Sequence, residues 1–301
     1  MKNTKKVIIM PSLDDLKKRI KSVKSTQKIT KAMKMVAAAK LRKAQESAER
    51  GRPYSKKMQS IILNLTKSIN DPENAPRLLV GTGKDKTYLC VVLTADRGLC
   101  GGFNSNICKL AKTKFKQILN EGKELKIISV GSKGLDQIKR EYGKYIIKKF
   151  SFKEKKKISF NEAEIIGSEI INLFKKNEFD KCILFFNNFK NVITQIPQAQ
   201  QIIPAENQLS EKKDENTMSY EFEPEEDEIL EDLLPKNIST QVFKAFLENA
   251  ASEQGSRMTA MDNATRNAGE LVDKLTINYN RSRQASITKE LIEIISGAES
   301  L

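Results

Sequence analysis

LDDLKKRIKSVKSTQKITKAMKMVAAAKLRKA, residues 13–44, reads as a heptad. Its a and d positions fall at Leu13, Leu16, Ile20, Val23, Gln27, Thr30, Lys34, Ala37, Leu41 and Ala44. Seven of these ten are apolar and Gln27, Thr30 and Lys34 are not, so the pattern is a coiled-coil seam with a polar middle. Ser12, followed by Asp14 and Asp15, supplies an N-cap with acidic residues in the first turn. The helix is expected over 12–66, with Pro53 kinking or interrupting it near residue 50.

A seam needs a second strand, and the other end of the chain has one. From Lys236 to Ser296 there is no Pro, and the apolar stripe runs through Val242, Phe246, Ala250, Met258, Met261, Ala264, Ala268, Leu271 and Leu275. Roughly sixty helical residues extend about 90 Å, which no globular domain of this size buries alone. The two helices enter and leave the same central region, so they run antiparallel. Counting about forty residues from Lys236, to match the first helix up to Pro53, reaches about Thr276. Everything beyond lacks an intramolecular partner. That overhang still carries a stripe, Ile287, Leu291, Ile294 and Ile295, and an exposed apolar stripe marks a binding site.

Between the helices the character changes. KTYLCVVLT, LKIISVG, YIIKKF and KCILFF are short β-rich runs alternating with helical segments at 104–119, 132–142 and 160–177. This alternation predicts a Rossmann-like α/β domain with a mainly parallel sheet. NVITQIPQAQQIIP is expected to add a strand, and SYEFEP one at an edge. Residues 206 to 232 hold twelve Asp or Glu against two Lys and read as a solvated acidic loop. The fold class is therefore α/β plus a long antiparallel coiled coil. Its expected parts are an unstructured extension 1–11, a helix 12–66, the α/β domain 67–205, the acidic loop with its edge strand 206–234, and a helix 235–301. MKNTKKVII contributes no cap, stripe or motif, so translation is expected to begin at Met10.

Composition narrows the chemistry. The 301 residues carry a formal charge of +15, which asks for an acidic partner: nucleic acid, anionic lipid or an acidic protein surface. There is no His, which excludes Ser-His-Asp and Cys-His catalysis and His-ligated metal. Cys90, Cys100, Cys108 and Cys182 show no CxxC spacing and read as small buried thiols in a reducing cytosol. No stretch has the ~18 to 20 apolar residues that span a bilayer.

Two glycine-rich stretches imitate phosphate loops. TADRGLCGGFN, 94–104, follows a strand and opens a helix, but matches neither GxGxxG nor GxxxxGK[ST]. It reads as a tight turn needing positive φ at Gly101 or Gly102. VGTGKDKT, 80–87, precedes a strand and reads as a turn too. No cofactor or metal is expected. The first helix is more telling: eleven Lys or Arg and no acid lie between Leu16 and Gln45. Lys28, Lys31, Lys34, Lys40, Arg42 and Lys43 form a basic collar aimed at an acidic partner.

Four blocks then fall in one order: KSVKSTQKITKAMKMVAAAKLRKAQ, TADRGLCGGFNSNI, SEQGSRMTAMDNATRNA and RQASITKELIEIISGAES. Together they resemble the gamma subunit of F-type ATP synthases, and the terminal I-T-x-E-x2-E-x3-G-A-x-S is the specific signature. The resemblance implies a rotary shaft that couples ion flow to ATP synthesis or hydrolysis and has no catalytic site of its own. It implies alpha and beta subunits around the shaft, with the epsilon subunit and the membrane ring of c subunits below. Arg283 and Gln284 would grip a loop of a catalytic subunit. The collar would face that subunit's acidic lever, and the apolar tip would lie in a sleeve. The implied location is the cytoplasmic face of a bacterial inner membrane, since no transit peptide is recognisable. The alternative is a basic helical nucleic-acid-binding protein, but helix one has no aromatic between residues 12 and 50 to stack on bases.

Overall fold

The structure, a computed structural model, describes residues 12–68, 76–155, 159–205 and 226–299. The expected start at Met10, the extension 1–11, and the acidic loop and edge strand through residue 225 lie outside the described residues. The chain divides into two compact units, one running from Ala37 to Thr259 and the other built from the residues on either side.

The larger unit is the α/β domain. In chain order it contains helix α2 (Arg77–Val80), strand β1 (Thr87–Leu93), α3 (Phe103–Asn120), β2 (Glu124–Val130), α4 (Ser132–Tyr142), β3 (Ile146–Phe150), α5 (Phe160–Lys175), β4 (Lys181–Phe189) and β5 (Gln195–Ile203). The sheet order is β3-β2-β1-β4-β5. The first four strands are parallel and β5 pairs antiparallel with β4. The expected strand-helix alternation is therefore present. β1 alternates as period-two geometry demands: Leu89, Val91 and Leu93 enter one core, while Tyr88, Cys90 and Val92 enter the other. Helices α3 and α4 close the second core, and α5 closes the first. Covered on both faces, β1 reads as a continuous apolar run.

Two long helices contribute to both units: α1 (Leu13–Ser68) and α6 (Glu226–Glu299). Both correct the expected boundaries. α1 is not interrupted at Pro53. The amide that Pro53 lacks would have served the carbonyl of Glu49, an exposed residue that water can satisfy. Packing then carries the helix onward, because Met58 and Ile62 are buried in a cluster with Leu79, Leu230 and Leu234. The same cluster explains why α6 begins at Glu226 and takes Pro235 inside the helix. Leu230 and Leu234 form an i, i+4 pair that the surrounding acids obscure in the sequence.

In the larger unit α6 lies on the α5 side of the sheet, with Ile238, Val242, Ala245 and Phe246 in the first core. One carboxylate there is almost wholly buried. Glu248 accepts from Arg52 Nε at 2.9 Å and from the Phe189 amide at 3.1 Å, so the buried charge is both paired and hydrogen-bonded.

Candidate partner-binding surface

The smaller unit contains the start of α1 and the end of α6, running antiparallel. All ten heptad positions of α1 between Leu13 and Ala44 are buried or half-buried. Within this unit α6 answers with Met261, Thr265, Ala268, Val272 and Leu275, spaced four, three, four and three. Val272 is buried and Leu271 is exposed, which corrects the sequence reading. Following apolar residues alone skipped Thr265 and so lost the 3.5-residue period.

The polar middle of the seam is matched residue for residue. Lys34 Nζ donates to Asp262 Oδ1 at 2.6 Å, and this hydrogen bond holds the Asp262 carboxyl below its ordinary value. The Thr265 hydroxyl donates to that of Thr30 at 2.8 Å. Gln27 lies against Gly269, where a Cβ would sit 3.0 Å from Gln27 Nε2. Only glycine leaves room for that amide in its present position.

Burial on α6 ends at Leu275, one residue from the expected Thr276, yet the helix continues to Glu299. Half-buried Tyr279 and Ser282 follow, since the Lys34–Asp262 and Thr30–Thr265 pairs set Leu13, the first residue of α1, opposite about residue 283. Past that point Ile287, Leu291, Ile294 and Ile295 are 49%, 54%, 68% and 57% exposed. Ile277 and Ile292, absent from the sequence reading, are also exposed. At 100° per residue, positions 287, 291, 292, 294 and 295 cover roughly 160° of the helix, a broad apolar face rather than one stripe. Arg283 and Gln284 extend into solvent among them.

The collar residues differ among themselves. In the smaller unit Lys28 and Lys31 are exposed, and with Gln27, Lys34, Asp262 and Thr265 they line a shallow cleft. Lys34 is the half-buried one, held by Asp262. In the larger unit Lys40, Arg42 and Lys43 are exposed, Arg42 pairing loosely with Glu46 at 3.4 Å. Sequence reasoning missed Ile29, Met35 and Val36, apolar residues set among the lysines of α1 and 57%, 60% and 55% exposed. Their signal was present: they are among the apolar residues of α1 that the heptad leaves off its seam. The basic face is thus also partly apolar.

In the larger unit TADRGLCGG forms a braced turn. Gly101 takes φ 54° as expected of one of the pair, while Gly102 does not. Asp96 accepts from the amides of Ser132 and Phe152 and from the Ser151 hydroxyl, joining the ends of β1, β2 and β3. Gly131 passes so close that a Cβ would sit 2.3 Å from the Thr94 carbonyl oxygen. Nearby thiols are poor nucleophiles, since burial pushes Cys108 up to about 11 and Cys90 further. Among the described residues no His, Cys, Asp and Glu group has metal-site geometry, and no helix is long and apolar enough to cross a membrane.

A paired two-helix seam that ends, among the described residues, in an exposed apolar tip, with a doubly wound sheet in the same chain, is the make-up of a helical subunit of a larger assembly. The family model described as ATP synthase matches residues 12–301. The ATP synthase gamma chain of Pelagibacter ubique (strain HTCC1062) is 70% identical over 292 residues, 97% of this chain and 100% of that one. That of Sinorhizobium fredii (strain NBRC 101917 / NGR234) is 57% identical over 293 residues, again 97% and 100%. A chain of the Tetrahymena thermophila mitochondrial ATP synthase central stalk and c-ring structure aligns with TM-score 0.58 and 29% identity, over 78% of this chain and 99% of that chain. A chain of the Euglena gracilis mitochondrial OSCP/F1/c-ring structure aligns with TM-score 0.62 over 96% and 94%; at 20% identity it supports the fold alone. The chain belongs to the ATP synthase gamma family. The nucleic-acid reading is not favoured.

Proposed function

We propose that this chain is the rotating central shaft of an F-type ATP synthase and couples ion flow through a membrane ring to ATP synthesis or hydrolysis in a catalytic head. The observation that supports it best is the tip: the Lys34–Asp262 and Thr30–Thr265 pairs set Leu13, the first residue of α1, opposite about residue 283, and among the described residues α6 runs on to Glu299 with large apolar side chains in water. Solvated apolar surface of that extent is costly unless a partner covers it. The alpha and beta subunits would form the sleeve, with Arg283 and Gln284 on a catalytic-subunit loop. The exposed collar, Lys28, Lys31, Lys40, Arg42 and Lys43 with Ile29, Met35 and Val36 between, would meet an acidic and partly apolar lever. The epsilon subunit and the ring of c subunits would hold the α/β domain at the cytoplasmic face of a bacterial inner membrane.

The mechanism requires no chemistry from this chain. Its surface differs around its circumference, so each angular position offers each catalytic site a different set of contacts. Those differences shift each site among states of unequal nucleotide affinity, and nucleotide binding drives rotation by the same linkage. The test is a bead fixed to the α/β domain of a reconstituted head. ATP should turn it in one direction. Undiminished hydrolysis with a stationary bead would overturn the reading.

A further inference from the structure

In doubly wound sheets a ligand sits outside the carboxyl ends of the strands, where the strand order reverses. Here that point lies between β1 and β4, and a helix of the same chain fills it. The β1–β4 pairing ends at Val92 and Phe185. Beyond it the Asn187 amide donates to Asn249 Oδ1 at 3.1 Å and the Asn187 carbonyl accepts from Ser252 Oγ at 3.2 Å. The Phe189 amide donates to Glu248 Oε2 at 3.1 Å. Asn249 Nδ2 donates to the Leu93 carbonyl at the end of β1, at 3.3 Å. In the following turn Ser256 Oγ reaches the Cys100 carbonyl at 2.6 Å and Arg257 Nη2 the Gly98 carbonyl at 3.2 Å. Between those two anchored carbonyls Leu99 is held at φ 62°, a left-handed conformation that persists only where its surroundings enforce it.

These contacts differ in kind from those a turn or two earlier on α6, where Val242, Ala245 and Phe246 pack apolar surface on the sheet. Apolar contact is non-directional, so a helix resting on it alone can roll about its axis at little cost. Hydrogen bonds are directional, and these end on backbone groups of β1 and β4 and of the braced turn that follows β1. Asn249, Ser252 and Ser256 stand at i, i+3 and i+7, one line along α6, which is the line that must stay fixed if the helix is not to roll.

We propose that the crevice at the switch point is the torsional anchor of α6, and that Asn249, Ser252, Ser256 and Arg257 are positioning residues that transmit torque between the sheet and the helix. The proposal rests on the rotor reading and adds to it the place where rotation passes into the shaft.

The test uses the complete chain in a reconstituted head, with a bead on the α/β domain through Lys139→Cys and the head stalled. The readout is the angular width of the bead's fluctuation. If the six bonds act as equal springs, Asn249→Leu with Ser256→Ala removes three, halves the restoring torque and widens the distribution by about 1.4-fold. Ser256→Thr in place of Ser256→Ala returns one hydroxyl and should bring the width back to about 1.2-fold. The control is Phe115→Leu, which damages the core between α3 and the sheet, where α6 has no part. It should lower the melting temperature and leave the width at the wild-type value. If the Asn249 variant does not assemble, Ser256→Ala against Ser256→Thr decides alone. Wild-type width in the variants, or equal widening by Phe115→Leu, would overturn the anchor. A wild-type bead that ATP never turns would instead refute the rotor reading and this inference with it.

Discussion

Lys34 Nζ lies 2.6 Å from Asp262 Oδ1 at a heptad position that ordinarily takes an apolar side chain. Each partner is about two-fifths exposed, so water screens the pair and its contribution is to alignment more than to stability. A single polar position of this kind fixes register, because sliding either helix leaves the charge opposite an apolar layer. Either reversal alone, Lys34→Asp or Asp262→Lys, should lower the melting temperature of the chain. Both together should recover most of the loss, and added salt should shrink the difference. Absence of recovery would mean the two side chains do not meet.

Gly269 gives the seam a second check, with opposite signs for two substitutions. Gly269→Ala places its methyl against the movable end of Gln27 and gains helix propensity worth about 0.8–1 kcal/mol, so stability should hold or rise slightly. Gly269→Leu cannot be relieved by that amide alone and should cost about 1–3 kcal/mol by chemical denaturation. Equal effects would show that the helices are not in close approach there.

Arg283→Ala with Gln284→Ala should lower coupled turnover in the assembled complex while the isolated chain melts as before. Both side chains are exposed, so the chain has no packing to lose at either site. A marked fall in melting temperature would assign them to the chain's own stability.

Among the described residues, those from 284 to 296 extend past the start of α1, and isolated helices are marginal in water. Their amides should exchange quickly in the free chain and slowly within a catalytic head, with residues 242 to 258 as the internal reference. Equal protection in both states would contradict an unpartnered tip.

Acid should find a specific weakness at α5. Ser159 and Glu162 form a capping box, and hydrogen bonds from the Ser159 hydroxyl and amide hold the Glu162 carboxyl down at about 2. A carboxyl lowered in the folded state contributes stability above its unfolded value, near 4.5, and loses it as the pH falls toward about 2. Glu162→Gln should therefore be less stable than the wild type at pH 6, and the gap should close between pH 4.5 and 2. A gap that stays constant across that range would place the loss elsewhere.

Most of the architecture was legible because period and burial agree. The runs at 86–94, 125–131 and 181–186 are buried strands, the run at 145–150 is an edge strand exposed from Ile147 to Lys149, and Leu13 to Ala44 is a seam. What failed did so for tertiary reasons. Pro53 and Pro235 both sit inside helices because buried Met58, Ile62, Leu230 and Leu234 hold the flanking turns together. Leu271 displaced Val272 in the reading because a polar seam position, Thr265, hides the register from a count of apolar residues. Lys34 was grouped with the exposed lysines because charge says nothing of a partner 228 residues away. The face made by Ile29, Met35 and Val36 was passed over because an excess of lysine draws attention from what lies between.

Most of the resolved shifts in this chain move side chains away from the neutral range. The chain has no His. Burial moves the Cys90 and Cys108 thiols upward, and hydrogen bonds move Glu162 downward. Asp85, despite some desolvation, is drawn down by Lys123, Tyr88 and Lys181, and Lys123 is raised in return. Among the described groups Lys244 alone is displaced toward neutrality, by burial. A membrane that transports ions need not hold its surface at one acidity. No side-chain type in this sequence has an ordinary value between about pH 5.5 and 7.5. The composition gives the basic face no histidine through which acidity in that window could retune it.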